Sequence, residues 1–145
     1  MTIINRSALV RYSASQMYAL VDDIDAYPEF LPWCKSSTVL SRDEDEVRAT
    51  LELSRAGIHK TFSTCNRLQA GKMIEMRLIE GPFKRLEGFW RFEPLGEDAC
   101  KVSLDLEFEF SSRILDVTLG PVFNQIANSL VDAFCERAMV NYGRP

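Results

Sequence analysis

The stretch CKVSLDLEFEF, Cys100–Phe110, alternates without a break: Cys100, Val102, Leu104, Leu106, Phe108 and Phe110 are apolar, while Lys101, Ser103, Asp105, Glu107 and Glu109 are polar or charged. Successive side chains of an extended chain point to opposite faces, so this period of two predicts one long strand with a buried face and a wet face. Such a strand needs sister strands beside it and an apolar cover over its buried face. The rest of the chain supplies both.

Val47, Ala49, Leu51 and Leu53 alternate in the same way with Arg48, Thr50, Glu52 and Ser54, and Leu86, Gly88, Trp90 and Phe92 form a third such row. Ile74, Met76 and Leu78 continue the pattern, with Met73 and Ile79 leaving apolar groups on the other face. Lys35–Ser41 and His59–Leu68 are rich in Thr, Val, Ser and Phe and are bounded by turn-prone Asp43–Asp45 and Ala56-Gly57, which predicts two more strands. Ile3–Tyr12 reads as another. Further turns at Ala70-Gly71, Gly81-Pro82 and Gly96–Asp98 join neighbours by short connections, which favours an antiparallel meander.

The cover comes from the carboxy-terminal segment. After Ser111-Ser112, the residues Leu115, Leu119, Val122, Phe123, Ile126, Leu130, Phe134 and Ala138 fall on one stripe of a long helix, and Gly143 supplies a stop. Gly120-Pro121 predicts a kink or break, because proline lacks a backbone donor and crowds the preceding turn at a cost of about 3 kcal/mol. Near the amino terminus Ser15 is the expected cap of a helix over Gln16–Asp22, and Asp25 that of a second short helix through Tyr27–Pro32. The order is strand, two short helices, six strands, long helix. This is an α+β chain: a curved antiparallel sheet of about seven strands wrapped around a long helix, with residues 1–145 as a single domain.

Composition narrows the function. Charged residues are 26% and hydrophobic ones 46% of the 145, ordinary for a folded protein, and the net charge of −4 argues against bulk binding to a nucleic-acid backbone. Between Arg55 and Arg91, however, eight Lys or Arg meet three acids, Glu75, Glu80 and Glu87, so a basic sector sits on an otherwise acidic chain. No basic leader with an apolar stretch opens the sequence and no run of about 18 apolar residues occurs, which predicts a cytoplasmic protein without a membrane span. Cys34, Cys65, Cys100 and Cys135 are widely spaced and read as free thiols, without the close pairs of a zinc or redox site.

Catalytic signals are poor. His59 is the only histidine, and there is no HExxH, GxSxG or Gly-rich phosphate loop. Asp22, Asp23 and Asp25 fit solvated cap positions, and Glu107 and Glu109 point away from the buried face, so no catalytic and no metal-ligating residue is assigned. Thr64 and Asn66 are the polar residues expected on the inner face.

A curved sheet and a helix part near their ends unless large side chains fill the gap. Phe62, Met76, Trp90, Phe92, Phe108 and Phe110 from the sheet, with Phe83 beside them, and Leu119, Val122, Phe123 and Ile126 from the helix, are placed to line such a gap. The alternative is that they fill one another's space as an ordinary core, and periodicity does not decide between the two. The segment Tyr27-Pro28-Glu29-Phe30-Leu31-Pro32-Trp33-Cys34 is too short to bury Tyr27, Phe30, Leu31 and Trp33 against itself and suits a cavity rim or a contact surface. An open space beneath Gly120-Pro121 is the expectation on which ligand carriage depends.

Several segments taken together carry a family resemblance: Tyr12-Ser13-Ala14 with Gln16-Met17-Tyr18, the whole of Tyr27–Cys34, Gly81-Pro82-Phe83-Lys84, Trp90-Arg91-Phe92, Phe108–Ser112, Val131-Asp132-Ala133-Phe134, Arg137-Ala138 and Tyr142-Gly143. Their order and spacing resemble the START-like coenzyme Q-binding proteins of the polyketide cyclase type, over nearly the whole chain. The resemblance implies a helix-grip (START/Bet v 1-like) fold with a ligand tunnel under the long helix. It also implies a non-enzymatic protein that binds a ubiquinone-type polyprenyl quinone or another lipid and supports respiration, with no further cofactor. An alternative comes from a bacterial branch described as binding the large ribosomal subunit and blocking subunit joining, with a small antitoxin-like partner protein. For that role the outward Arg67, Arg77, Lys84, Arg85 and Arg91 are the candidate contacts, set against a plain solvated face balanced by Glu75 and Glu87. One departure is Cys65, where relatives often carry Arg. A cyclase or hydrolase of the same fold is a third reading.

Overall fold

In the computed structural model, which describes residues 1–144, the chain forms β1 (Thr2–Val10), α1 (Ala14–Asp22), one 3-10 turn (Ile24–Ala26), α2 (Tyr27–Phe30), β2 (Cys34–Arg42), β3 (Glu46–Arg55), β4 (Ile58–Gln69), β5 (Met73–Glu80), β6 (Phe83–Pro94), β7 (Cys100–Phe110) and α3 (Arg113–Tyr142). The seven strands make one antiparallel sheet in the order β1-β7-β6-β5-β4-β3-β2. From β2 to β7 the sheet is a meander. β1 alone leaves that sequence and pairs with the outer side of the last strand, β7, so α1, the 3-10 turn and α2 carry the chain from one edge of the sheet to the other. The α+β class, the seven antiparallel strands and the long terminal helix are those predicted.

β7 behaves as its sequence requires: Cys100, Val102, Leu104, Leu106, Phe108 and Phe110 are buried and every residue between them is half-buried on the outer face. Two strands depart from strict alternation. A bulge in β6 between Phe83 and Arg85 turns Phe83 inward although its parity relative to Leu86 would place it outside. A register shift between Ser63 and Thr64, read against β5, leaves Phe62, Ser63 and Thr64 buried in succession, with the Ser63 and Thr50 hydroxyls 2.7 Å apart. Ala56-Gly57 makes the β3–β4 turn with both residues at positive φ, the twist that a two-residue hairpin demands.

The cap of α1 is Ser13, not Ser15. The Ser13 hydroxyl accepts from the Gln16 N–H at 3.1 Å while the Gln16 side chain accepts from the Ser13 N–H at 2.9 Å, a reciprocal capping box that only a serine three residues before a glutamine can make. Asp25 caps nothing through its side chain. It lies inside the 3-10 turn, and α2 is a single turn opened by Pro28 that ends before Leu31.

Of the kink or break expected in α3, a break is absent, for the helix runs through Gly120-Pro121 from its Ser112 cap to Gly143 at φ +79°. The bond that Pro121 omits would have gone to the carbonyl of Val117. Both residues lie on the exposed side, where water takes that place. The opposite stripe, Leu119, Phe123, Ile126, Ala127, Val131, Phe134 and Ala138, is buried against the sheet. No helix among the described residues is long and apolar enough to cross a membrane.

Candidate functional site

The space between sheet and α3 has two ends of opposite character. Beneath Gly120-Pro121 it is full. The Phe123 ring meets Phe108 edge-on at 4.7 Å and Phe83 at 4.9 Å between centroids, Phe83 stacks on Phe110 at 5.0 Å, and Phe62 closes on Phe83 at 5.8 Å. A Cβ on Gly120 would lie 3.8 Å from Phe110. The opening expected beneath Gly120-Pro121 is therefore plugged, and the inward turn of Phe83 at the β6 bulge completes the plug.

The opening lies further along the helix, under Phe123–Phe134, as a cavity of about 80 Å3. That is room for several waters at roughly 10–15 Å3 each, and well under the 300–1,000 Å3 of a typical ligand pocket. Of the residues assigned to it from sequence, Tyr27, Trp33, Phe62, Met76, Trp90, Phe123 and Ile126 line it. Phe83, Phe108, Phe110 and Leu119 belong to the plug instead. Phe92 is covered by Tyr18 of α1 at 5.7 Å, Leu31 is buried behind α2, Val122 sits half-buried on the helix flank, and Phe30 packs outside, against Phe134. Residues not assigned beforehand complete the wall: Ile24, Ala49, Leu51, Leu86, Leu106, Ala127, Leu130 and Phe134. Their signal was the same strand alternation and helix stripe; what pattern could not give was which of them face a partner and which face a void.

Few polar groups reach this cavity. Thr64 donates its hydroxyl proton to Asn66 Oδ1 at 3.1 Å, both being buried. The Tyr27 hydroxyl donates to the Val21 carbonyl, and burial, with Asp22 second, pushes its phenol well above the usual range, so it stays neutral. No Lys, Arg, His, Asp or Glu lines the space. His59 is exposed on β4. The wall offers hydrogen bonds and apolar surface but no acid, base or charge.

α2 closes the cavity from outside and is clasped to α3. The Arg137 guanidinium sits 4.9 Å over the Phe30 ring and pairs with Glu29 at 3.1 Å, while Phe134 meets Tyr27 and Phe30 edge-on at 5.5 and 5.3 Å. The thiols nearby are inert: burial pushes Cys34 and Cys135 each up to about 11.

On the outer face of the sheet Arg67, Arg77, Lys84, Arg85 and Arg91 are all exposed. Three are engaged: Arg77 with Glu75 at 2.9 Å, Arg85 with Glu87 and Glu107 at 3.2 and 3.4 Å, and Arg91 with Asp105 at 4.0 Å. Arg67 and Lys84 make no ion pair among the described residues. The register sets Cys65 directly between Arg48 and Arg77 and next to Arg67, so three guanidinium groups gather on β3, β4 and β5. Desolvation, with Glu46 second, holds the Cys65 thiol above its usual range, so it adds no negative charge there.

Comparison with known proteins sets this geometry in context. The model of the polyketide cyclase / dehydrase and lipid transport family matches residues 10–135. A protein of Vibrio cholerae named ribosome association toxin RatA is 51% identical over 140 residues, covering 97% of each chain. A mitochondrial coenzyme Q-binding protein COQ10 homolog B of Xenopus laevis is 30% identical over 146 residues, which span 97% of this chain and 59% of that protein. Among solved structures, a START superfamily protein from Mycobacterium smegmatis superposes with a TM-score of 0.78 at 23% identity over 93% of this chain and 95% of the other, a likeness of fold.

Proposed function

The chain belongs to the polyketide cyclase / dehydrase and lipid transport family, and from that premise we propose that it is a non-enzymatic ribosome association factor of the toxin type, which binds the large ribosomal subunit and impedes subunit joining. The observation that carries this reading is end-to-end similarity, at about half of all positions, to relatives bearing that name. The surface supports it. Arg48, Arg67 and Arg77 lie side by side on the sheet's outer face, and arginine forks suit phosphate oxygens. Arg48 and Arg77 are paired with Glu46 and Glu75, and Arg67 is in no ion pair among the described residues. Acting on ribosomes, the protein works in the cytoplasm. Added to dissociated subunits and run on sucrose gradients, it is expected to deplete the joined-ribosome peak, with depletion weakening steeply as salt rises. Unchanged joining at low salt would refute the proposal.

A second reading is favoured by the cavity. Its apolar wall, and the similarity to a protein named for coenzyme Q binding, support the holding of an apolar molecule such as a ubiquinone-type quinone. Burial of apolar ligand surface contributes roughly 25 cal/mol per Å2 before association costs, so a few hundred Å2 of contact suffices for useful affinity. Native mass spectrometry of gently purified protein, followed by organic extraction, is expected to find the bound molecule. Repeated recovery of empty protein that takes up no added quinone would remove this reading and leave the first intact. A cyclase or hydrolase activity has the least support, because the wall contains no proton-transfer group of suitable strength.

A further inference from the structure

The cavity wall contains hydrogen-bond donors that the chain itself leaves unused. Trp33 is 4% exposed, its side chain forms part of the wall, and its indole N–H has no acceptor. Asn66, 7% exposed and also in the wall, receives the Thr64 proton on Oδ1, and its amide nitrogen donates to no group among the described residues. Buried donors are nearly always paired in folded proteins, and an unpaired one is destabilising. Trp33 precedes β2 and Asn66 lies in mid-β4, so the two donors come from separate parts of the wall. Asn66 sits opposite Val47 and Trp33 is hydrogen-bonded to Ser54, seven residues further along β3, so one ligand oxygen reaches one of them. Of the two, only the indole N–H is a fully buried donor without an acceptor.

We propose that this cavity selects a neutral, largely apolar molecule carrying an acceptor oxygen of the carbonyl type, and that the Trp33 indole N–H is the selecting group. The inference rests on the reading of the cavity as a ligand site. Two other ligand classes fit the wall less well. A carboxylate head would be buried with no Lys, Arg or His to meet its charge. A plain hydrocarbon would leave the indole donor dry. Room for the ligand body comes from Met76: its Cε rests over the backbone of Gly88, 2.9 Å from where a Cβ would stand, and an unbranched thioether chain repacks readily.

The test uses one carbon skeleton with three heads: butyrophenone, butylbenzene and 4-phenylbutyrate. The chain has two tryptophans, so its nitrogen-15 spectrum carries two indole cross-peaks, and Trp33→Phe assigns them. In the wild type the ketone is expected to bind about tenfold tighter than the hydrocarbon, to move the Trp33 indole proton downfield, and to outbind the carboxylate. In Trp33→Phe the ketone's advantage should vanish. Equal affinity for ketone and hydrocarbon with the same small shift at Trp33, or tightest binding by the carboxylate, would overturn the selection while leaving the ligand reading standing. Failure of all three to bind at millimolar concentration would remove that reading and this inference with it. If Trp33→Phe does not fold, the wild-type comparison of ketone with hydrocarbon decides by itself.

Discussion

The two ends of the space under α3 are made from the same strands and finish differently. Toward Arg113, Phe62, Phe83, Phe108, Phe110 and Phe123 interlock into a solid plug; toward Phe134 the same sheet leaves a hollow. Inward direction is not the difference along β7, which alternates alike at both ends; on β6 a bulge turns Phe83 inward at the plug end. Thickness adds to this. The helix sets Phe123 and Leu119 over the plug but Ala127 over the hollow, and the sheet has Ala49 on the hollow's side. Packing density is nearly uniform in most protein interiors, so a void remains where a wall of large side chains, Trp33, Trp90 and Phe134 among them, is interrupted by Ala49 and Ala127.

The largest effect that would break this contrast is Phe123→Ala. Phe123 touches the other four plug rings, and its loss is expected to destabilise the fold by about 3–5 kcal/mol, read from urea denaturation. A loss below about 1 kcal/mol would mean the plug is not packed. Next come two small-to-large changes. Gly88→Ala brings a Cβ to 2.9 Å from both Leu106 Cδ1 and Met76 Cε and 3.3 Å from the Asp105 carbonyl. It should cost about 1–3 kcal/mol. Ala127→Leu sends its new atoms into empty space, so it should change stability by less than about 1 kcal/mol while abolishing uptake of apolar probes. Equal penalties at both sites would erase the distinction between filled and open.

Arg137→Met loosens the clasp at the hollow's outer wall. Loss of the Glu29 pair and the Phe30 stack is expected to cost roughly 1 kcal/mol, with faster amide exchange confined to α2 and the 3-10 turn. The smallest effect on stability belongs to the outer face. Arg67→Gln should shift the unfolding free energy by no more than about 0.5 kcal/mol. If it meets a ribosomal phosphate, the slope of log affinity against log salt should become shallower by about one.

The sequence carried the sheet well and the cavity only partly. Eleven alternating residues in β7 have one reading, and short turns fix the antiparallel partner order from β2 to β7. Phe83 was assigned to the open space, and its contribution to the plug depends on a bulge, a local offset between two strands that a single strand's pattern does not encode. Ser13 was overlooked in favour of Ser15, although Gln16 three residues later carried the signal. Pro121 does not end the helix, because proline removes one helical bond and on a wet face water can replace it. For Trp33 the segment's excess of apolar bulk pointed to the rim, but that its N–H would lack an acceptor is a property of three-dimensional neighbours alone.

The pairing of β1 with β7 sets a timetable for synthesis. Val10 lies opposite Cys100 and Thr2 opposite Phe108, so the first strand to be made waits for the last. At roughly 5–20 residues per second, translation holds that strand without its partner for about 5–20 s. The growing hairpins can zip behind it one after another, yet the leading segment is stitched in only when the message is nearly read through. A nascent chain stalled just short of Cys100 would therefore present two unpaired edges, the free leading strand and the open side of β6, to any neighbour able to add a strand.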